Sequence, residues 1–122
     1  MEDCIFCKHT DKILENNHAF AIFDQYPVSK GHILIIAKRH VADYFSLTIR
    51  EKFAIEQLLD AAKEKLIDEY QPDGFNIGIN CGQAAGQSVP HTHVHLIPRY
   101  VGDLENPLGG VRGVIPDKRL YP

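Results

Sequence analysis

The spacing of apolar residues changes period several times along the chain, and each change marks an element. Residues 18–24 (His-Ala-Phe-Ala-Ile-Phe-Asp) and 32–37 (His-Ile-Leu-Ile-Ile-Ala) are short, nearly continuous apolar runs, joined by the turn-rich Gln25-Tyr26-Pro27-Val28-Ser29-Lys30-Gly31. Runs of this length bounded by Pro and Gly read as strands, and so short a connection predicts an antiparallel pair in a sheet core. Residues 46–70 take up a helical period, with Phe53, Leu58, Leu59, Ala62, Leu66 and Tyr70 recurring among charged positions. Ser46 or Thr48 would cap that helix, and Pro72-Asp73-Gly74 would stop it. Residues 75–81 alternate and predict a third core strand, followed by the loop Gly82-Gln83-Ala84-Ala85-Gly86. Alternation returns at 91–97 (His-Thr-His-Val-His-Leu-Ile), and the stretch from Glu105 to Pro122 is Gly- and Pro-rich and reads as loop.

These elements predict an α+β fold: a mainly antiparallel sheet of about five strands, with one long helix over residues 48–70 packed on one side. The histidine-bearing strand belongs inside the sheet. At 122 residues the expectation is a single domain spanning 1–122, with 105–122 as a loop-like tail. A hydrophobic content of 44% and a charged content of 24% are ordinary for a globular protein. The formal charge of −3 and pI near 6.1 argue against nucleic acid as the standing partner. No apolar run reaches the roughly 18 residues of a membrane span, and the N-terminus lacks the apolar core of a signal peptide. An odd number of cysteines, three, fits a reducing cytoplasm better than a disulfide framework.

Three of the chain's seven histidines fall at alternate positions 91, 93 and 95. In a strand, His91, His93 and His95 would share one face, while Thr92, Val94 and Leu96 enter a core on the other. Neighbours on that face stand roughly 6.5–7 Å apart, close enough for all three to surround one phosphate-sized group. Imidazole titrates near neutrality, so it can serve as nucleophile, acid or anchor at cellular pH. Just upstream, Gly82 and Gly86 let the backbone bend around an anion, leaving the amides of Gln87, Ser88 and Val89 to bind phosphate oxygens. Arg99 and Arg112 are further phosphate candidates, with an exposed salt bridge as the alternative. Phe6, Ile13, Phe20, Ile22 and Phe23 would either line a base pocket or fill the core.

The pattern His-φ-His-φ-His-φ-φ over His91 to Ile97 resembles the signature of the histidine-triad (HIT) superfamily of nucleotide hydrolases and transferases. Gly86-Gln87-Ser88-Val89, Pro27-Val28-Ser29-Lys30-Gly31-His32 and Cys4-Ile5-Phe6-Cys7 fall where such a protein would have them, so the resemblance runs from residue 4 to about 103. It implies a catalytic group of His93, His91, His95 and His32. His93 would attack the α-phosphorus of a nucleotide ester or anhydride to give a nucleotidyl-histidine that water cleaves. The backbone carbonyl of His91 would set the tautomer of His93. His95 and the loop amides would hold non-bridging oxygens, Ser88 would donate to the leaving group, and His32 would support the triad from behind. Asp24 would bind ribose hydroxyls, or be only a solvated turn carboxylate. Asn80 would orient the catalytic strand and phosphate, or only cap a turn. The resemblance also implies a purine nucleotide substrate and a homodimer whose tails approach the partner's pocket.

Cys4-x-x-Cys7 has three readings: a redox pair, two reduced thiols, or half of a zinc site. Metal-bearing relatives imply the third, a structural zinc on Cys4, Cys7, His40 and His91 that clips the N-terminus to the sheet. No organic cofactor is implied. The Pro98-Arg99-Tyr100-x-Gly102-Asp103 run suggests a dinucleoside polyphosphate hydrolase. A purine nucleoside phosphoramidase, a phosphorylase or nucleotidyltransferase, and a non-catalytic nucleotide-binding protein remain as alternatives.

Overall fold

In the computed structural model, which describes residues 4–8 and 11–122, the two apolar runs become the centre of a five-stranded antiparallel sheet. Its strands are β1 (Leu14–Glu15), β2 (Ala19–Phe23), β3 (Ile33–Ala37), β4 (Gly74–Gly78) and β5 (His93–Arg99), in the order β1-β2-β3-β5-β4. One helix, α1 (Ile49–Tyr70), packs across β1, β2, β3 and β5. Every residue of β3 is buried because both faces of the sheet are covered there. Ile33, Ile35 and Ala37 meet the helix together with Val94 and Leu96, while Leu34 and Ile36 turn the other way against Phe6, Phe20 and Ile22. A strand covered on both faces has no polar alternation to show, which is why 32–37 reads as an unbroken apolar run.

Thr48 caps α1: its side chain accepts from the Glu51 amide while Glu51 accepts from the Thr48 amide, a reciprocal capping box. Ser46 lies instead in a short 3₁₀ turn (Tyr44–Ser46) capped by Asp43. Ala54, Ile55, Leu58, Ala62 and Leu66 form the helix's buried stripe. Phe53, expected in that stripe, is 59% exposed, because it falls on the solvent side of Ala54. The helix ends at Gln71, which takes a left-handed conformation just before Pro72. At Gly31 the backbone has φ +93°, and a Cβ there would come within 2.8 Å of Leu66, so the 25–31 turn depends on glycine to reach the helix.

Two expectations need correction. The segment read as a third core strand is the edge strand β4; it ends at Gly78, so Asn80 and Cys81 lie beyond it. Only β5 pairs with it, and Ile77 is 54% exposed. The tail past Glu105 carries two 3₁₀ turns, Gly110–Val114 and Pro116–Lys118, with most of its apolar side chains exposed. No helix among the described residues is long and apolar enough to cross a membrane.

Glu51 is the charged residue buried under the helix start. Arg39 donates to both its carboxylate oxygens, at 2.8 and 3.0 Å, and holds its pKa down at about 2 although burial pushes the other way. A carboxylate held below its ordinary 4.5 stabilises the fold above that pH, and the contribution is lost as pH falls from 4.5 towards 2. Glu51→Gln should therefore cost about 1.5–3 kcal/mol at pH 7. Its urea midpoint should also fall less steeply than the wild type's between those pH values.

Candidate active site and metal cluster

The register of β5 decides which histidines meet. His93 stands opposite Ile36 and His95 opposite Leu34, so both imidazoles project from the sheet face away from the helix, ring centroids 5.2 Å apart. On the other side of His95 the neighbouring residue is Gly78, beside which there is open space.

Each imidazole here has one nitrogen committed to a neighbour, and those commitments locate the protons. Nδ1 of His93 lies 2.8 Å from the His91 carbonyl, which can only accept. His93 therefore carries its proton on Nδ1 and keeps a lone pair on Nε2. His32, 3% exposed, accepts the Val28 amide on Nδ1 at 3.2 Å, so its proton is on Nε2. That Nε2–H donates to His95 Nδ1 at 3.0 Å, with Asp24 a weaker 3.5 Å neighbour. His95 must then carry its own proton on Nε2. Burial first, then the neighbouring His93 and His32, pushes His95 down to about 4, so the ring is neutral at pH 7. Burial likewise lowers His32, against the pull of Asp24. The same proton map argues against a metal ion among Asp24, His32 and His95: binding at His32 Nε2 would force a proton onto Nδ1, facing the Val28 N–H.

His93 and His95 line a cleft of about 410 Å³. Ile5, Phe6, Ile22, Phe23, Tyr26 and Leu34 give it an apolar side. Asp24, Asn80, Ser88 and Val89 bring polar groups to it. Asp24 also accepts the Tyr26 amide at 2.8 Å, which holds its carboxylate at the turn. The Ser88 and Val89 amides have no hydrogen-bond acceptor among the described residues. The Gln87 amide, expected to be free, donates to the Gly82 carbonyl at 3.1 Å. Its side chain accepts from Gly82 and donates to Ala42 and Val89, so Gln87 braces the loop from within.

His91 shares the sheet face of His93, its ring edge-on to the same Phe6 at 6.0 Å, but it does not line the cleft. β5 begins only at His93; before it, Thr92 is drawn to the Val41 carbonyl at 2.7 Å, and His91 turns its ring away from the cleft into full burial. The three rings therefore do not surround one phosphate. His91 donates from Nε2 to the Ala37 carbonyl at 2.6 Å and points Nδ1 at Cys4 Sγ (3.3 Å), Cys7 Sγ (3.5 Å) and His40 Nδ1 (3.1 Å). His40 Nδ1 is in turn 3.2 Å from Cys7 Sγ, and all four atoms lie within 4.8 Å of one another. A tetrahedral ion with bonds of roughly 2.0–2.3 Å would set its ligands about 3.3–3.8 Å apart. Two thiols and two imidazoles at these separations fit zinc, and the Ala37 carbonyl supplies the partner that orients a ligand histidine. Burial lowers His91, which favours the neutral ring that a ligand needs.

A family model of the HIT domain matches residues 7–102. The chain belongs to the HIT-domain family. An uncharacterized HIT-like protein of Mycoplasma pneumoniae is 39% identical, over 80% of this chain and 72% of that protein. The crystal structure of a HIT family protein from Bacillus anthracis gives a TM-score of 0.78 at 39% identity, covering 84% of this chain and 77% of its own. A Zn-bound histidine triad family protein from Mycobacterium smegmatis gives 0.77 at 29% identity, covering 86% and 81%. AP-4-A phosphorylase of Mycobacterium tuberculosis is 34% identical over 69% of this chain and 44% of its own. Adenylylsulfatase HINT3 of Arabidopsis thaliana is 34% identical over 80% and 52%. The HIT family thus includes enzymes acting on nucleotides.

Within this HIT domain the structure gathers His93, His95, Asp24, Asn80, Ser88 and Val89 at the cleft, His32 behind it, and Cys4, Cys7, His40 and His91 in the cluster beside it. Both arginines go elsewhere: Arg99 pairs with Asp103 and Asn76, and Arg112 binds carbonyls of the tail. Ile5, Tyr26 and Leu34 were missed as cleft residues. The signal for Ile5 was its place inside Cys4-x-x-Cys7, and for Leu34 its even position in β3. Imidazole ¹⁵N spectra at pH 7 should show His93 protonated on Nδ1 and His95 on Nε2, with His95 staying neutral down to pH about 4. His32→Phe should release the His95 tautomer and leave that of His93 unchanged.

Proposed function

We propose that this HIT protein is a nucleotide hydrolase that works through a nucleotidyl-His93 intermediate. One observation carries the reading: in one cleft, His93 offers a lone pair on Nε2 while His95, 5.2 Å away, offers an N–H. A nucleophile and a donor of opposite tautomer are what displacement at a phosphorus requires. His93 Nε2 forms a bond to the α-phosphorus as the bond to the leaving group breaks, its electron pair leaving with the phosphate anion, to which Ser88 donates a hydrogen bond. The positive charge on the ring is shared with the His91 carbonyl through Nδ1–H. His95 Nε2–H and the Ser88 and Val89 amides hold the non-bridging oxygens. Water then attacks the same phosphorus and releases a proton to solvent, the P–N bond breaks with its electron pair returning to His93, and a nucleoside monophosphate leaves.

Asp24 accepts from the ribose hydroxyls, and the apolar side of the cleft takes a purine. A dinucleoside polyphosphate is the preferred substrate. The named activity of the M. tuberculosis relative supports a second reading, in which phosphate replaces water as acceptor. Cys4, Cys7, His40 and His91 hold a structural zinc, a reading supported by their separations and by the Zn-bound M. smegmatis relative. The ion would cross-link the N-terminus to the start of β5 and supply no catalytic chemistry.

Wild-type and His93→Ala protein should be incubated with a diadenosine polyphosphate and with an adenosine phosphoramidate, following products by chromatography and protein mass by spectrometry. Turnover should vanish in the variant, the wild type should gain the mass of one nucleotide, and His95→Ala should lose about 10²–10³ in rate. Binding of AMP by wild type without turnover of either compound would leave a nucleotide-binding module instead. The unpaired β4 edge and the exposed Ile49, Phe53 and Ile77 support a homodimer. Light scattering should return twice the chain mass of 13.8 kDa, falling to the single mass in Ile77→Lys.

A further inference from the structure

The sequence between the two cysteines is not a spacer. Ile5 and Phe6 lie between Cys4 and Cys7, and both form part of the cleft wall. Phe6 is 6% exposed and packs its ring on His93, centroids 4.9 Å apart at 64°. Ile5, 60% exposed, stands at the mouth. Among the described residues, no backbone group outside the segment fastens this wall. Among the described residues, the backbone hydrogen bond of 4–8 is the local one from Cys7 to the Cys4 carbonyl, and none joins the segment to the sheet. What holds it in place is Phe6 packing and the approach of the two thiols to His40 and His91.

We infer that the metal cluster governs nucleotide affinity: an ion on Cys4, Cys7, His40 and His91 fixes Ile5 and Phe6 as a wall of the cleft. Cys4, Cys7 and His40 are then positioning residues for a ligand they never touch. The inference rests on the zinc reading of the cluster and the nucleotide reading of the cleft, and adds a coupling between them. Without the ion, the wall must be ordered at the moment the nucleotide binds, and that ordering weakens binding. Coupling between two sites is reciprocal, so nucleotide must tighten the ion by the same factor that the ion tightens nucleotide. A cross-link that served stability alone would show no such symmetry.

The test uses the full chain with Zn(II) and AMP as probes. Calorimetry gives the AMP Kd of zinc-loaded and chelator-treated protein, and chelator competition gives the zinc Kd with and without saturating AMP. AMP should bind at least about fivefold more weakly without zinc, recover on zinc addition, and raise zinc affinity by an equal factor. Stoichiometric zinc with an unchanged AMP Kd overturns the inference and leaves the metal reading standing. Failure to bind stoichiometric zinc overturns both, and failure of the loaded protein to bind AMP overturns the nucleotide reading with the inference. Phe6→Ala, measured with zinc bound, covers the case of a chelated chain that unfolds. It should bind AMP more weakly, and its zinc affinity should no longer respond to AMP. A wild-type response in that variant overturns the proposal.

Discussion

Three backbone groups hold the chemistry of this site in place: the carbonyls of His91 and Ala37 and the amide of Val28. Each takes one nitrogen of an imidazole and leaves the other with a defined character. A side chain that can carry its proton on either nitrogen is thereby reduced to one form. Backbone groups suit this task because they do not titrate and cannot rotate away. The positions of β3 and β5 are therefore the positions of protons, and sheet register is a chemical variable. A shift of β5 by one residue would send His93 and His95 to the helix side and bring Val94 and Leu96 into the cleft.

His91 is used twice, once through its ring and once through its carbonyl. The ring faces the thiols while the carbonyl faces His93, so one residue separates the Cys/His cluster from the cleft and joins them. This explains why the cluster approaches His93 closely without opening into the cleft. It also explains full burial of a polar side chain: both ring nitrogens find partners, and among the described residues no buried side-chain nitrogen or oxygen lacks one.

Much of the fold was legible because its signals were long or redundant. β3 shows an unbroken apolar run, and α1 carries a cap, a period and a stop. β1 escaped notice because two residues hold no periodicity. Phe53 was misplaced because the helical stripe takes its smaller neighbour Ala54, which hydrophobicity alone ranks below an aromatic ring. In the site, alternation put the three histidines on one face, but it did not tell that His91 leaves the cleft to His93 and His95. The constraint there comes from Val41, some fifty positions away, and no local pattern can report it. The Gln87 amide was lost for the same kind of reason, since a loop closed on its own first residue consumes a donor that composition leaves free.

The order β1-β2-β3-β5-β4 also has a temporal meaning. β1 to β3 is a meander of neighbours in sequence, and β4 with β5 is a second local pair. The seam between β3 and β5 joins residues 33–36 to 93–96, the longest closure in the sheet. Contacts that close long loops form at the greatest entropic cost. Asp24 and His32 come from the first unit, and Ser88, His93 and His95 from the second, so neither half carries the whole cleft. The hydrogen bond from His32 to His95 crosses that seam. The cleft thus exists only once the two halves have met, and a nascent or partly opened chain does not yet have it.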